Sequence, residues 1–221
     1  MMKKKLFTIC AASLGLVIFA NAQDKEATAK ADDAGFVSIF NGKDLTGWKV
    51  NGESTKSIRA EDGNIVIDGP RTHAFYAGAV GNHDFKNFEF KAKVKTFKGA
   101  NSGIYFHTKF QDKGWPDAGY ECQVNNTHTD WRKTGSLYAV KDNKEEVAKD
   151  GEWFDYYIKV EGKHVIIKIN DKVITDYTEP ENPEHLAKMS GRKIGSGTIG
   201  LQAHDPKSVV FFKDLKLKIL K

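Results

Sequence analysis

The chain has 221 residues, with 34 Lys and Arg against 29 Asp and Glu, a formal net charge of +5, and hydrophobic residues at 40%. That length builds one sizeable packed domain. The positive balance is weak, Lys and Glu are interspersed, and no arginine cluster or nucleic-acid motif is present, which excludes a nucleic-acid-binding surface.

The first 22 residues read as a secretory signal peptide. Lys3-Lys4-Lys5 is a basic opening, Leu6 to Phe19 is an apolar run too short for a comfortable membrane span, and Ala20-Asn21-Ala22 is a small-x-small cleavage site. Export to the periplasm or envelope of a bacterium is therefore expected, with no membrane span in the processed chain. Removal of the signal takes away Cys10 and leaves Cys122 without a disulfide partner. It also removes three lysines, which leaves a net charge of about +2. Residues 23–35 are mostly polar and read as a flexible lead-in, so the folded domain is expected over 36–221.

From Phe36 onward apolar runs alternate with turn signals such as Asn41-Gly42, Asp62-Gly63, Gly162-Lys163 and Asn170-Asp171. The pattern predicts strands throughout, among them Phe88 to Lys95, a hairpin of Tyr157–Glu161 with His164–Ile169, and a last strand from Val209 to Leu220. One short helix is predicted, around 183–189, with Asn182 as its cap and Pro183 at its first position. An all-β fold of two facing antiparallel sheets accommodates these elements.

Three of the predicted strands differ from the others in their polar face. Side chains alternate across a strand, so 101–107 places Asn101, Gly103, Tyr105 and His107 on one side. The stretch 119–125 places Glu121, Gln123 and Asn125 on one side and Cys122 on the other, and 201–204 contributes Gln202 and His204. None of these faces carries a Lys, whereas Phe88–Lys95 alternates with Glu and Lys as a solvated face does. Asn, Gln, Tyr, His and one carboxylate suit a neutral polyhydroxylated ligand. Two loops separate the stripes, and each carries a tryptophan, Trp115 or Trp131, in a position to stack on a sugar ring. Trp131, beside Arg132, enters the candidate substrate-binding set. Asn41 and Asp44 read as turn formers and Trp48 as a core anchor. His73, His83, His128, His164 and His185 have no ligand spacing and are expected at the surface.

Phe40-Asn41-Gly42-Lys43-Asp44-Leu45-Thr46-Gly47-Trp48, Asn101-Ser102-Gly103-Ile104-Tyr105, Tyr120-Glu121-Cys122-Gln123, Thr134-Gly135-Ser136-Leu137-Tyr138 and Ile199-Gly200-Leu201-Gln202-Ala203-His204 follow one another in order. Together they resemble the bacterial 3-keto-disaccharide hydrolase family over about residues 36–221. The resemblance implies a concanavalin- or laminin-G-like jelly roll and action on glycosides oxidised at carbon 3. The chain departs from the family pattern at Asp205, where glycine is usual, and at Phe212-Lys213-Asp214-Leu215.

A ketone at carbon 3 acidifies the carbon-2 proton. A base removes it, the glycosidic oxygen leaves carbon 1, and water adds to the resulting enone, so the paired carboxylates of ordinary glycosidases are not required. Glu121 or His204 is the expected base, the other orienting the sugar or relaying the proton. Asn101, Tyr105, Gln123 and Gln202 are expected to bind the sugar, with His107 and Tyr138 as candidate acids. No cofactor is assigned. His107, Glu121 and His204 nevertheless offer N and O ligands that a divalent cation could use. No phosphate loop or dinucleotide fingerprint is present, so a separate sugar oxidoreductase is the expected pathway partner. The alternatives are a non-catalytic carbohydrate-binding sandwich, and a glycosidase pairing Glu121 with Asp117 or Asp205.

Overall fold

A computed structural model describes residues 35–184 and 188–221. The signal peptide and most of the lead-in lie outside the described residues, as does the centre of the helix expected over 183–189. The rest is a sandwich of two antiparallel sheets. The larger sheet runs β11 (Lys172–Thr178), β10 (His164–Ile169), β9 (Phe154–Glu161), β6 (Phe88–Thr96), β13 (Val209–Ile219), β4 (Asn64–Asp68) and β3 (Ile58–Glu61), with β1 (Val37–Ser38) also paired to β13. The smaller runs β2 (Trp48–Val50), β5 (Thr72–Tyr76), β12 (Thr198–Ala203), β7 (Ser102–Thr108) and β8 (Tyr120–Val124).

Alternation decides the packing. On β6, Phe88, Phe90, Ala92 and Val94 are buried while Lys91 is exposed. Facing them from the small sheet are Ile104 and Phe106 of β7, Cys122 and Val124 of β8, and Leu201 and Ala203 of β12, all fully buried. Phe88 and Phe106 meet edge to face across the sandwich, with centroids 5.8 Å apart. Cys122 sits in this core, where burial pushes its thiol pKa well above the ordinary value. Asn170 (φ 47°) and Asp171 (φ 65°) make the expected turn between β10 and β11, a left-handed geometry their short polar side chains tolerate. Asp214 (φ 53°) occupies a register shift in β13, so that departure from the family pattern falls on a β-bulge rather than on a packed core position.

Trp48 is buried and donates from Nε1 to Ile39 O (2.7 Å), and Asn41 Oδ1 accepts from the Lys43 and Asp44 amides, as their sequence positions predict.

The two sheets differ in their outer faces. The larger exposes lysines and glutamates, but every residue of β5, β7, β8 and β12 is buried. Loops roof the outer face of the small sheet. One of them, 109–118, is fastened across the sheet by the Gly52 amide donating to Asp112 O (3.1 Å). Gln111 braces it internally through bonds to Lys113 O, Trp115 O and the Asp117 amide. The polar stripes therefore form the floor of a recess beneath these loops.

Candidate active site

Strand register lines up the polar stripes. Glu121 pairs with Tyr105, Tyr105 with Gly200, and Gly200 with Phe75, giving one row across β8, β7, β12 and β5. Gln123 pairs with Gly103, and Gln202 with His73. Above these rows lies a cavity of about 540 Å³, roomy enough for a saccharide. Asn101, Tyr105, Glu121, Gln123, Tyr138, Gln202 and His204 all line it.

Glycine makes room for the central carboxylate. A Cβ at Gly103 would stand 2.6 Å from Glu121 Oε1, so only glycine lets that carboxyl lie across β7 and accept from Gln202 Nε2 at 2.8 Å. The other oxygen, Oε2, accepts from Arg192 Nη2 at 3.0 Å, and both side chains are more than nine-tenths buried. Burial opposes the charge on Arg192, but Tyr105 and Glu121 outweigh it and hold the guanidinium above its ordinary pKa. The Tyr105 hydroxyl accepts from Gln202 Nε2 (2.9 Å), and its pKa is pushed well up, mainly by burial and then by Glu121, so it stays protonated. Asn101 Oδ1 accepts from Gln123 Nε2 at 3.2 Å. Three lining residues keep a buried polar atom without a partner: Arg192 Nη1, Gln123 Oε1 and Gln202 Oε1. An unmet donor and two unmet acceptors are costly in a packed protein unless a ligand meets them.

His204 lies at the end of β12. Its Nδ1 is 2.9 Å from Asp205 Oδ2, which also accepts from Ser208 Oγ (2.7 Å). Burial opposes the Asp205 charge, yet the bonds from Ser208, His204 and the Lys207 amide hold its carboxyl below the ordinary range. A carboxylate there requires a proton on His204 Nδ1, which leaves the Nε2 lone pair free. The sequence departure at Asp205 thus sets the tautomer of the neighbouring imidazole.

Two sequence-predicted site residues lie elsewhere. His107 has φ 54° at a bulge where β7 shifts register against β12. That turns its ring onto Phe88 and Phe106 (5.8 and 5.0 Å), with Nε2 bonded to Lys86 O and Nδ1 accepting the Gly195 amide. Trp131 is 47% exposed, stacks under Arg132 and does not line the cavity. Trp115 does line the cavity, with its ring 5.3 Å from that of His204. Arg192 was not foreseen. Its loop, Ser190-Gly191-Arg192-Lys193, has no periodicity or motif, and the only signal was the need of a buried Glu121 for a cation. Arg132, beside Trp131, pairs with Asp142 and Asp130 and not with Glu121.

With His107 elsewhere, the ligand set of His107, Glu121 and His204 is not assembled. His128, His204 and Asp205 do offer three ligand atoms within 4.8 Å of one another. Their hydrogen bonds commit them otherwise. His128 Nδ1 accepts the Asp130 amide (3.0 Å), and burial, then His204, keep this imidazole below its ordinary pKa. The neutral ring then carries its proton on Nε2, the atom facing Asp205. These contacts thus link His128, Asp205 and His204 into one chain beside the cavity.

His73, expected at the surface, is fully buried beneath Trp115 and beside Tyr105 (5.7 Å each), and neither ring nitrogen has a partner. Burial drives its pKa down to about 4. A histidine that titrates near 6.5 unfolded and near 4 folded leaves stability untouched above pH 6.5. As pH falls towards 4 the unfolded chain takes the proton first, which removes about 3 kcal/mol. Denaturant midpoints measured from pH 8 to pH 4 are expected to fall over that window and to flatten in His73→Phe. An unchanged slope in the variant would assign the acid sensitivity to other groups.

The fold and this cavity define a glycosyl hydrolase-like β-sandwich whose small sheet forms the floor of a saccharide-sized site. The chain belongs to the family of 3-keto-alpha-glucoside-1,2-lyase-like domains, whose model matches residues 35–218. It is 27% identical to the 3-keto-disaccharide hydrolase of Bacteroides thetaiotaomicron, over 86% of this chain and 80% of that one. Among solved structures it is similar to a candidate glycosyl hydrolase of Parabacteroides distasonis, with TM-score 0.72, 27% identity, and coverage of 85% of this chain and 95% of that one. A carbohydrate-binding module of Bacillus subtilis shares the fold at TM-score 0.51 and 12% identity, covering 79% of this chain and 96% of that one.

Proposed function

We propose that this protein cleaves the glycosidic bond of 3-keto-glycosides by elimination and rehydration. The supporting observation is an imidazole whose Nδ1 is held by Asp205, lining the same cavity as a buried guanidinium with an unmet N–H. His204 Nε2 takes the proton from carbon 2. The electron pair delocalises onto the carbon-3 oxygen as an enolate, where Arg192, fixed by Glu121, supplies positive charge and a donor. The enolate collapses, the carbon 1–oxygen bond breaks, and the aglycone departs as an alcohol after taking a proton. Tyr138, which lines the cavity and whose hydroxyl donates to Asp130 Oδ2 at 3.3 Å, serves as that acid. Water then adds its oxygen to carbon 1 and a proton to carbon 2, completing hydrolysis. Gln123, Gln202 and Asn101 hold hydroxyls, and Trp115 covers the ring. Glu121 is engaged by Arg192 and Gln202, which suits it to positioning and leaves the base role to His204.

The substrate must be made by an enzyme that oxidises a sugar at carbon 3, and the signal peptide expected over residues 1–22 supports action outside the cytoplasm. The expected result is release of nitrophenol from a 3-keto-glucoside nitrophenyl glycoside, and none from the unoxidised glucoside. Exchange of the carbon-2 proton with deuterated water should accompany it. Binding without consumption would return the non-catalytic sandwich reading, and cleavage of the unoxidised glucoside would return the two-carboxylate one.

A further inference from the structure

The outer face of the small sheet carries a second cavity, of about 460 Å³, lined in part by Lys49, Phe75, Asp84, Thr108, Lys109 and Phe110. It shares its floor with the first. Phe75 stands in the register row that contains Tyr105 and Glu121, and the 109–118 loop contributes Trp115 to one cavity and Phe110 to the other. A chain of rings links them: Trp115 to His73 at 5.7 Å, His73 to Phe75 at 6.1 Å, and Phe75 to Phe110 at 5.5 Å.

The chemistry of this second space is unspent. Thr108 is 1% exposed and its Oγ1 has no partner. The Lys49 ammonium is held 3.6 Å from the Phe110 centroid, and among the described residues neither Lys49 nor Lys109 is paired with a carboxylate. Phe110 remains 37% exposed. Donors, a carboxylate and a hydroxyl around an exposed aromatic edge are the groups that grip hydroxyls and the C–H face of a sugar together.

We propose that the second cavity is a saccharide subsite, which takes a pyranosyl unit with its hydroxyls on Lys49, Lys109, Asp84 and Thr108 Oγ1 and its ring against Phe110. The ligand class rests on the carbohydrate reading of the first cavity; the geometry does not. The unit is either the continuation of a chain bound in the first cavity or a separate sugar, and the two sources share this chemistry.

The test is calorimetric titration and saturation-transfer NMR with unoxidised glucose, maltose and maltotriose. The protein is the full chain carrying Gln123→Ala and His204→Ala, which impair the first cavity. Binding is expected to persist in that background and to weaken at least about tenfold when Phe110→Ala or Lys49→Ala is added. Lys49 is exposed, so its replacement leaves the fold intact, and thermal unfolding verifies this. With the first cavity intact, in the native protein, maltotriose bound more tightly than glucose identifies a continuing chain, and equal affinities identify a separate sugar. In the otherwise native protein, Phe110→Ala and Lys49→Ala should each leave release of nitrophenol from the 3-keto-glucoside unchanged. Absence of saccharide binding in the impaired background, or binding indifferent to both Phe110→Ala and Lys49→Ala, overturns the subsite. If the keto-glucoside is never consumed while glucose still binds here, only the catalytic reading falls.

Discussion

His204→Ala is expected to lower turnover of a 3-keto-glucoside by at least about a hundredfold, the loss that follows removal of a positioned base. Substrate affinity should change far less, because Gln123, Gln202 and Asn101 remain. The decisive readout is carbon-2 proton exchange in deuterated water, which isolates the first step from departure of the aglycone. Exchange that stops in His204→Ala and continues in Glu121→Gln assigns the base to His204. The reverse pattern assigns it to Glu121 and overturns the assignment made here. Asp205→Asn supplies the internal control. It leaves the imidazole in place, 2.9 Å from residue 205, but removes the charge that keeps the proton on Nδ1. A smaller loss, about tenfold or more, is expected, since a catalytic histidine in the wrong tautomer is a poor base. An Asp205→Asn enzyme with full activity would mean that the tautomer is set some other way.

Much of this arrangement was legible in the sequence because strands obey a two-residue period. The alternation of 101–107 and 119–125 correctly put Tyr105, Glu121 and Gln123 on one face and Ile104, Phe106, Cys122 and Val124 in the core. The alternation failed at His107 for a local reason. One residue in the left-handed region at a register shift carries the chain past its alternating position, and nothing in the local composition announces that bulge. His73 was misplaced for a different reason. Its strand, Thr72–Tyr76, is buried on both faces, so its polar residues cannot be told from solvated ones until the covering loop is known. Arg192 and the choice of Trp115 over Trp131 depend on how loops fold back across the sheet. Such contacts join residues distant in sequence, such as Glu121 and Arg192, and no periodicity encodes them.

Removing one partner of the Glu121–Arg192 pair is expected to destabilise the fold by about 3–5 kcal/mol, the cost of leaving a buried charge without its counterion. Glu121→Gln strands the guanidinium, whose Nη1 already lacks a partner. Arg192→Met strands the carboxylate, leaving it the neutral donor Gln202 in place of a cation. The double variant, Glu121→Gln with Arg192→Met, removes both charges together. It should recover most of the lost stability, giving a coupling energy of the size seen for residues in one network. Turnover should not recover with it, because the positive charge placed for the enolate is gone from the cavity. Chemical denaturation and 3-keto-glucoside kinetics on the four proteins separate the two roles. If stability and activity return in step, the pair serves the fold alone and the enolate must be stabilised by other donors. Arg192→Lys sharpens the distinction, since a lysine keeps the charge and loses the planar fork that now reaches Glu121 through Nη2 and leaves Nη1 unmet. It is expected to retain most of the stability while kcat drops, a split that a purely structural ion pair would not produce.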